Sequence, residues 1–133
     1  MINTESRIPD GAILIYPVTI RDRTTSSRIE FANDIILHQS FRKVFSESYL
    51  NKEDDFSHWL LTPMNAPDDL LAKFPMTFII TASQDPLKDD GVLFHELLTQ
   101  KSNEKCVLKE YQVKVMVILF SIELLLGIYT WIL

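Results

Sequence analysis

The sequence contains very little glycine. Only Gly11, Gly91 and Gly127 occur among 133 residues, and they lie far apart. Loops that cradle phosphate, bind a dinucleotide or hold a nucleophilic serine in a GxSxG turn need closely spaced glycines, because their backbone approaches a ligand or takes a positive φ. The sequence therefore excludes a P-loop, a GxGxxG motif and a nucleophile elbow within these 133 residues.

Cysteine and clustered basic residues are also scarce. Cys106 is the single cysteine, so it has no internal disulfide partner, and no paired Cys/His spacing suggests zinc. The 13 lysines and arginines are scattered among 18 acidic residues, giving a net charge of −5. Residues 1–10 are polar and do not resemble a signal peptide. We therefore expect no metal, no cofactor, no nucleic-acid partner and a cytoplasmic location.

The remaining composition is that of a globular chain. Hydrophobic residues make up 47% and charged residues 23% of the sequence, both near the average for folded domains. The length indicates one domain or a piece of a larger one.

Three apolar runs predict β-strands. Residues 12–16 form a continuous apolar run between a Pro-Asp-Gly turn and Pro17, which is typical of a strand buried on both faces. Residues 77–82 and 106–111 are two further strand candidates. Between them, apolar residues at helical spacing predict a helix (Leu93, Phe94, Leu97 and Leu98). Strand, helix and strand in this order indicate parallel strands joined by a crossover helix, and hence an α/β fold.

Other segments carry weaker patterns. The spacing of apolar residues predicts a helix over 34–50, and Asp68 and Asp69 ahead of two leucines predict the start of a short helix that Pro75 ends. Residues 19–34 are polar and irregular, which favours a surface loop or a lead into a helix.

Asp85 is the most interesting polar residue. It directly follows the predicted strand 77–82 and its short turn, at the edge of a parallel sheet where ligands and catalytic groups collect. An Asp before a proline at such a place more often forms a turn or caps the next helix. The pattern alone therefore favours a capping role over a catalytic one.

A family resemblance changes this balance. Residues 74–91, a strand and turn followed by Asp-Pro-Leu-Lys-Asp-Asp-Gly at 85–91, resemble the block that carries the catalytic acid in the hormone-sensitive-lipase-like α/β-hydrolases. Residues 7–17 are similar to the strand that follows the nucleophile helix of that family. Residues 62–71 are similar to its Ser-Pro-x-x-Ala-Pro-x-x-Leu segment. The resemblance extends from Arg7 to Tyr111.

The resemblance implies a partial α/β-hydrolase fold, with residues 1–112 as the C-terminal part of the domain. It also implies a carboxylic ester hydrolase (esterase or lipase) that acts on acyl esters through a Ser–His–Asp triad. Asp85 matches the triad acid, which would orient the imidazole and stabilise its cation. Asp89 and Asp90 match the acidic start of the following helix, where we expect caps and helix-dipole partners rather than catalysts.

The other catalytic parts of the family lie elsewhere. Its nucleophile elbow and HGGG loop precede the matching region, and its histidine is due shortly after Tyr111. His38, His58 and His95 are not at that position, and we expect them on the surface or in packing roles. We therefore expect a fragment that keeps the acid and is inactive on its own. A non-enzymatic remnant that binds a membrane or a partner is the alternative.

The segment 113–133 has a different character. From Val115 to Leu133, twelve of the 19 residues are Leu, Ile, Val or Phe, which favours membrane insertion by about 5 kcal/mol, while Glu123 opposes it by about 3 kcal/mol. We expect this stretch to form an apolar C-terminal helix, which would span about 28 Å. Three interpretations stay open: a tail from an altered reading frame or a retained intron, a transmembrane anchor, and a core helix.

Overall fold

The computed structural model describes residues 9–33 and 56–114, together with the single positions 44 and 48. The elements, in chain order, are β1 (Gly11–Ile15), α1 (Ser26–Glu30), a 3-10 helix (Pro63–Asn65), α2 (Asp68–Leu71), β2 (Met76–Gln84), α3 (Lys88–Lys101) and β3 (Cys106–Lys114). The three predicted strands and the helix between the last two are confirmed. β2 and β3 are each longer than the sequence indicated.

The strands form one parallel sheet in the order β1–β2–β3. Ile13 pairs with Phe78, and Phe78 pairs with Val107. The ladder is irregular near its carboxyl end, where Ala82 pairs with Tyr111 but Gln84 pairs with Lys114. The extra residue on β3 is a bulge opposite Ser83, two residues before Asp85, and bulges of this kind bend a strand and redirect its side chains. The βαβ unit predicted from the sequence is therefore present.

Helices cover one face of this sheet. The buried core joins α2, β2 and α3 through Leu71, Ile79, Phe94 and Leu98. The ring of Phe74 meets the ring of Phe94 edge to face, with centroids 5.7 Å apart. These contacts fix α3 across β2, and with it the turn between them.

Gly91 permits the close approach of α3 to β2. A Cβ at this position would lie 2.4 Å from Cγ2 of Thr81 and 3.4 Å from Cγ2 of Ile79. Since carbon atoms pack at about 3.5–4.0 Å, no larger residue fits without a shift of helix or strand. The glycine thus sets how closely the first turn of α3 lies against the sheet.

The opposite face of the sheet is apolar and largely exposed. Ile13 is 71% exposed and Met76 56%, while Leu14 and Ile79 point to the helical side. The prediction that the first strand is buried on both faces is therefore wrong: its residues alternate in exposure. The continuous apolar run has the composition of a doubly covered strand, but the described helices pack on one side only.

Residues 19–33 are less exposed than the sequence indicated. They include helix α1, and Thr19, Ile20, Thr25 and Ser27 are buried. Thr19, Ile20 and Ser27 form hydrogen bonds to the first turn of α3, described below. The short helix predicted at Asp68 is confirmed as α2.

Two predicted helices cannot be compared in the same way. The helix predicted over 34–50 lies outside the described residues except at positions 44 and 48, which are helical. The apolar segment 115–133 lies wholly outside them. Within the described part of the chain, no helix has the length and apolar character needed to cross a bilayer.

Candidate functional site

Asp85 lies at the carboxyl end of β2, between the strand and helix α3. Its side chain is fully buried. The Oδ1 atom of Asp85 accepts a hydrogen bond from the N–H of Leu87 at 2.9 Å, and its carbonyl accepts one from Lys88 at 3.0 Å. The carboxylate thus closes a turn at the entry to the helix, as the local pattern predicted.

This turn does not use up the capacity of the carboxylate. An ionised carboxyl group has two oxygens and about four acceptor sites. The bond from Leu87 involves one site on Oδ1, so helix entry and a further hydrogen bond are compatible roles. The geometry therefore places Asp85 at the carboxyl edge of the sheet and is compatible with both roles.

Tyr16 borders this edge at the end of β1. Its ring packs against Ala82, and its hydroxyl oxygen is buried with no hydrogen-bond partner among the described residues. Burial, the charge of Asp85 and the nearby Tyr111 together raise the pKa of Tyr16 to about 12. The phenol is therefore neutral at pH 7 and remains a hydrogen-bond donor.

The backbone at Tyr16 is strained. Its φ is 49°, in the left-handed region that a bulky residue avoids. Such outliers persist where surrounding structure holds them, and they concentrate at functional sites. No local signal in the sequence points to this conformation, because a residue that precedes a proline usually adopts an extended backbone.

Helix α1, which lies about sixty positions earlier in the chain, is hydrogen-bonded to the start of α3. The backbone N–H of Ser27 donates to Oδ2 of Asp89 at 2.8 Å, and the N–H of Asp89 donates to Oγ of Ser27 at 3.2 Å. The hydroxyl of Ser27 donates to the carbonyl of Pro86 at 2.9 Å. Three hydrogen bonds thus join α1 to the residues that follow Asp85.

Asp90 anchors the same loop through a buried charge. Its Oδ2 accepts hydrogen bonds from the N–H groups of Thr19 and Ile20, both at 3.0 Å, and lies 2.6 Å from Nη2 of Arg28. Burial raises the pKa of the Asp90 carboxyl, while the Arg28 guanidinium and the two N–H groups oppose that shift. Because the net shift is still upward, the ion pair and the two N–H groups offset only part of the cost of burying this carboxyl.

The capping role expected for Asp89 and Asp90 needs correction. Both lie in the first turn of α3, but neither side chain caps the helix. Their side chains turn toward residues 19–28, which lie about sixty to seventy positions earlier in the chain. They act as tertiary anchors, because the loop after β1 supplies N–H groups and a guanidinium that the helix end does not.

The histidines within the described residues have local contacts. His58 is exposed, stacks on Trp59 with ring centroids 5.7 Å apart, and accepts a hydrogen bond from the N–H of Leu60. His95 lies within α3, where its carbonyl accepts from Thr99. These contacts agree with surface and packing roles. His38 lies outside the described residues, which contain no cluster of three potential metal ligands.

An apolar cavity of about 260 Å³ lies away from Asp85, on the helical side of the sheet. Its walls are Trp59, Leu60, Pro63, Ala66, Leu70, Leu71, Phe74 and Phe94. None of these side chains titrates, so the cavity has no evident acid–base chemistry.

Comparison with known proteins places this geometry in a family. A profile of the alpha/beta hydrolase fold matches residues 1–119. Carboxylesterase NlhH of Mycobacterium tuberculosis is 35% identical over 106 residues, which cover 74% of this chain and 33% of the relative. An esterase of Fusarium pseudograminearum is 29% identical over 112 residues, or 81% of this chain and 35% of the relative.

Solved structures agree. A hyperthermophilic esterase from Pyrobaculum calidifontis superimposes with a TM-score of 0.70 at 30% identity, over 77% of this chain and 33% of that one. Carboxyl esterase 2 from Tuber melanosporum gives a TM-score of 0.74 at 25% identity, over 78% and 34%. The chain spans about a third of the length of the curated relatives it matches. Its parallel three-stranded sheet forms a partial α/β-hydrolase fold. The chain therefore belongs to the α/β-hydrolase family and resembles that family's carboxylesterases.

Proposed function

We propose that this chain is the acid-bearing C-terminal part of a carboxylic ester hydrolase, with Asp85 as the triad acid. The observation that carries the proposal is the position of Asp85, buried directly after β2 at the carboxyl edge of a parallel sheet. The Asp-Pro-Leu-Lys-Asp-Asp-Gly turn in a chain of this family supports the assignment. The substrate class is an acyl ester.

In this role the carboxylate of Asp85 accepts a hydrogen bond from the histidine of the triad. It holds the imidazole in the tautomer that takes the proton of the nucleophilic serine, and it stabilises the resulting imidazolium. Burial strengthens that charge interaction, because water screens it less. The bond from Leu87 to Oδ1 fixes the carboxylate before the histidine is engaged.

The remaining catalytic groups are expected outside this sequence. It contains no GxSxG turn to hold a nucleophile and no histidine after His95. We therefore propose that the 133-residue chain has no esterase activity by itself. The test is hydrolysis of a short-chain p-nitrophenyl ester by the purified chain, with the Asp85→Asn variant as the matched control. Equal background rates are expected, and turnover sensitive to a serine-directed inhibitor would contradict the proposal.

The domain division is proposed on the same basis. Residues 1–112 form the hydrolase part, for which a cytoplasmic location is proposed, and 113–133 form an apolar segment whose first two residues are the last two of β3. The second candidate function, a remnant anchored to a membrane or a partner, is favoured only by the twelve Leu, Ile, Val and Phe residues between Val115 and Leu133. Carbonate-resistant membrane association that is lost on deleting 115–133 would support it. An extractable product would reject the membrane anchor.

A further inference from the structure

Ser27 is hydrogen-bonded to the turn that holds Asp85, although the two lie far apart in sequence. Its side chain is only 2% exposed. Its hydroxyl group bonds both the carbonyl of Pro86, the residue next to Asp85, and the N–H of Asp89. The backbone N–H of Ser27 returns a bond to the carboxylate of Asp89. The acid-bearing turn is thus held from outside by one residue of α1.

The start of α3 explains why an external contact is needed. The first N–H groups of an α-helix have no acceptor within the helix. Here Oδ1 of Asp85 accepts from Leu87, and Oγ of Ser27 accepts from Asp89. The side chains of Asp85 and Ser27 therefore together accept the hydrogen bonds that a single N-cap residue usually accepts. Without the hydroxyl of Ser27, the N–H of Asp89 would lose this acceptor, and only the bond from Leu87 to Asp85 would remain of the two.

The hydrogen bond from Ser27 to the carbonyl of Pro86 restrains the backbone next to Asp85. The carbonyl of Pro86 belongs to the peptide that joins Pro86 and Leu87. Because the proline ring fixes φ of residue 86, a hydrogen bond to this carbonyl also restrains the preceding Asp85–Pro86 peptide. The adjacent ion pair between Arg28 and Asp90 holds the same loop against α3. Together these bonds limit the orientations that the Asp85 side chain can take.

We propose that Ser27 is a positioning residue for Asp85, fixing the acid-bearing turn by capping α3 from a distant part of the chain. The proposal rests on the proposed function in one respect, namely that a fixed carboxylate is useful because it must meet an imidazole. The hydroxyl of Ser27 does not touch the reacting atoms. It acts through Pro86 and Asp89.

The test compares Ser27→Ala with Ser26→Ala in the full 133-residue chain. Ser26 is the exposed neighbour on the same helix, so the control makes the same chemical change without the contact. The Asp85 pKa is measured by NMR from the pH dependence of the chemical shift of its carboxyl carbon. The rate of hydrogen exchange of the Leu87 amide is measured in the same variants. A looser turn weakens the bond from Leu87 to the charged carboxylate, which raises the Asp85 pKa.

For Ser27→Ala we expect the Asp85 pKa to rise by about half a unit or more and Leu87 to exchange about tenfold faster, as the loss of one buried hydrogen bond implies. Ser26→Ala should change neither. Ser27→Cys keeps the shape but bonds weakly, so it should reproduce the shift and decides the matter if the alanine variant does not fold.

An Asp85 pKa and a Leu87 exchange rate equal to those of Ser26→Ala, in whichever Ser27 variant folds, would overturn the proposal even if the melting temperature fell. Neither readout requires esterase activity. A failure of the catalytic assignment of Asp85 would appear only in kinetics, so the two outcomes are distinguishable.

Discussion

Replacing Gly91 by alanine tests how α3 is held on β2. The added Cβ would lie 2.4 Å from Cγ2 of Thr81, about 1 Å closer than carbon atoms pack. Overpacking a rigid core costs about 1–3 kcal/mol. Alanine has a helix propensity better than glycine by up to about 1 kcal/mol. The expected net loss in the free energy of unfolding is therefore about 0–2 kcal/mol.

The matched background is Thr81→Ser, which removes the clashing methyl group and keeps the hydroxyl. In that background the overlap disappears, and Gly91→Ala should be neutral or should stabilise by up to about 1 kcal/mol. Urea unfolding of all four proteins, followed by circular dichroism, measures the coupling between the two sites. The same effect of Gly91→Ala in both backgrounds, or a gain in the wild-type background, would refute the close-contact argument.

Two further predictions concern buried titratable groups. Arg28→Met should cost about 3–5 kcal/mol at pH 7, because it leaves the carboxyl of Asp90 buried without its cation. Losing Arg28 also raises the Asp90 pKa further, so this variant should regain stability relative to wild type as the pH falls and Asp90 takes up a proton. The control is Arg23→Met, which removes a cation from an exposed ion pair and should cost at most about 1 kcal/mol. Urea midpoints at pH 7 and pH 5 check this, and a pH-independent loss would count against it. Tyr16 has a pKa of about 12 against 10.0 for an ordinary tyrosine, so the folded state loses stability as the pH rises from 10 to 12. Ultraviolet titration of wild type minus Tyr16→Phe should show this late ionisation. Asp85→Asn should lower the Tyr16 pKa, whereas an unchanged value would show that the Asp85 charge does not act on the phenol.

Local sequence patterns were sufficient for the sheet and for the position of Asp85. Apolar runs, helical spacing and a proline-containing turn are short-range features, and they correctly predicted β1, β2, α3 and β3. The family motif then distinguished Asp85 from other turn aspartates. These features could be predicted because each depends on residues that are close together in the chain.

The contacts around Asp85 could not be predicted in the same way. Ser27 and Arg28 reach Asp89 and Asp90 across 62 positions, and no local period records such a pairing. The left-handed φ of Tyr16 follows from its tertiary surroundings rather than from its propensity. The exposure of β1 depends on what packs against the sheet, which a strand's own composition does not determine.

The assignment of Asp85 as the triad acid is tested most directly by kinetics. In a chimera, residues 9–111 replace the matching third of the carboxylesterase of Mycobacterium tuberculosis, which supplies the rest of an enzyme. Asp85→Asn in this chimera is compared with Asp69→Asn, an exposed acid at the start of α2. We expect kcat for a short-chain p-nitrophenyl ester to fall about 10⁴-fold for Asp85→Asn, by analogy with the serine-protease acid, and to stay near wild type for Asp69→Asn. A loss of only a few-fold for Asp85→Asn would contradict the assignment and leave Asp85 as a helix-entry residue.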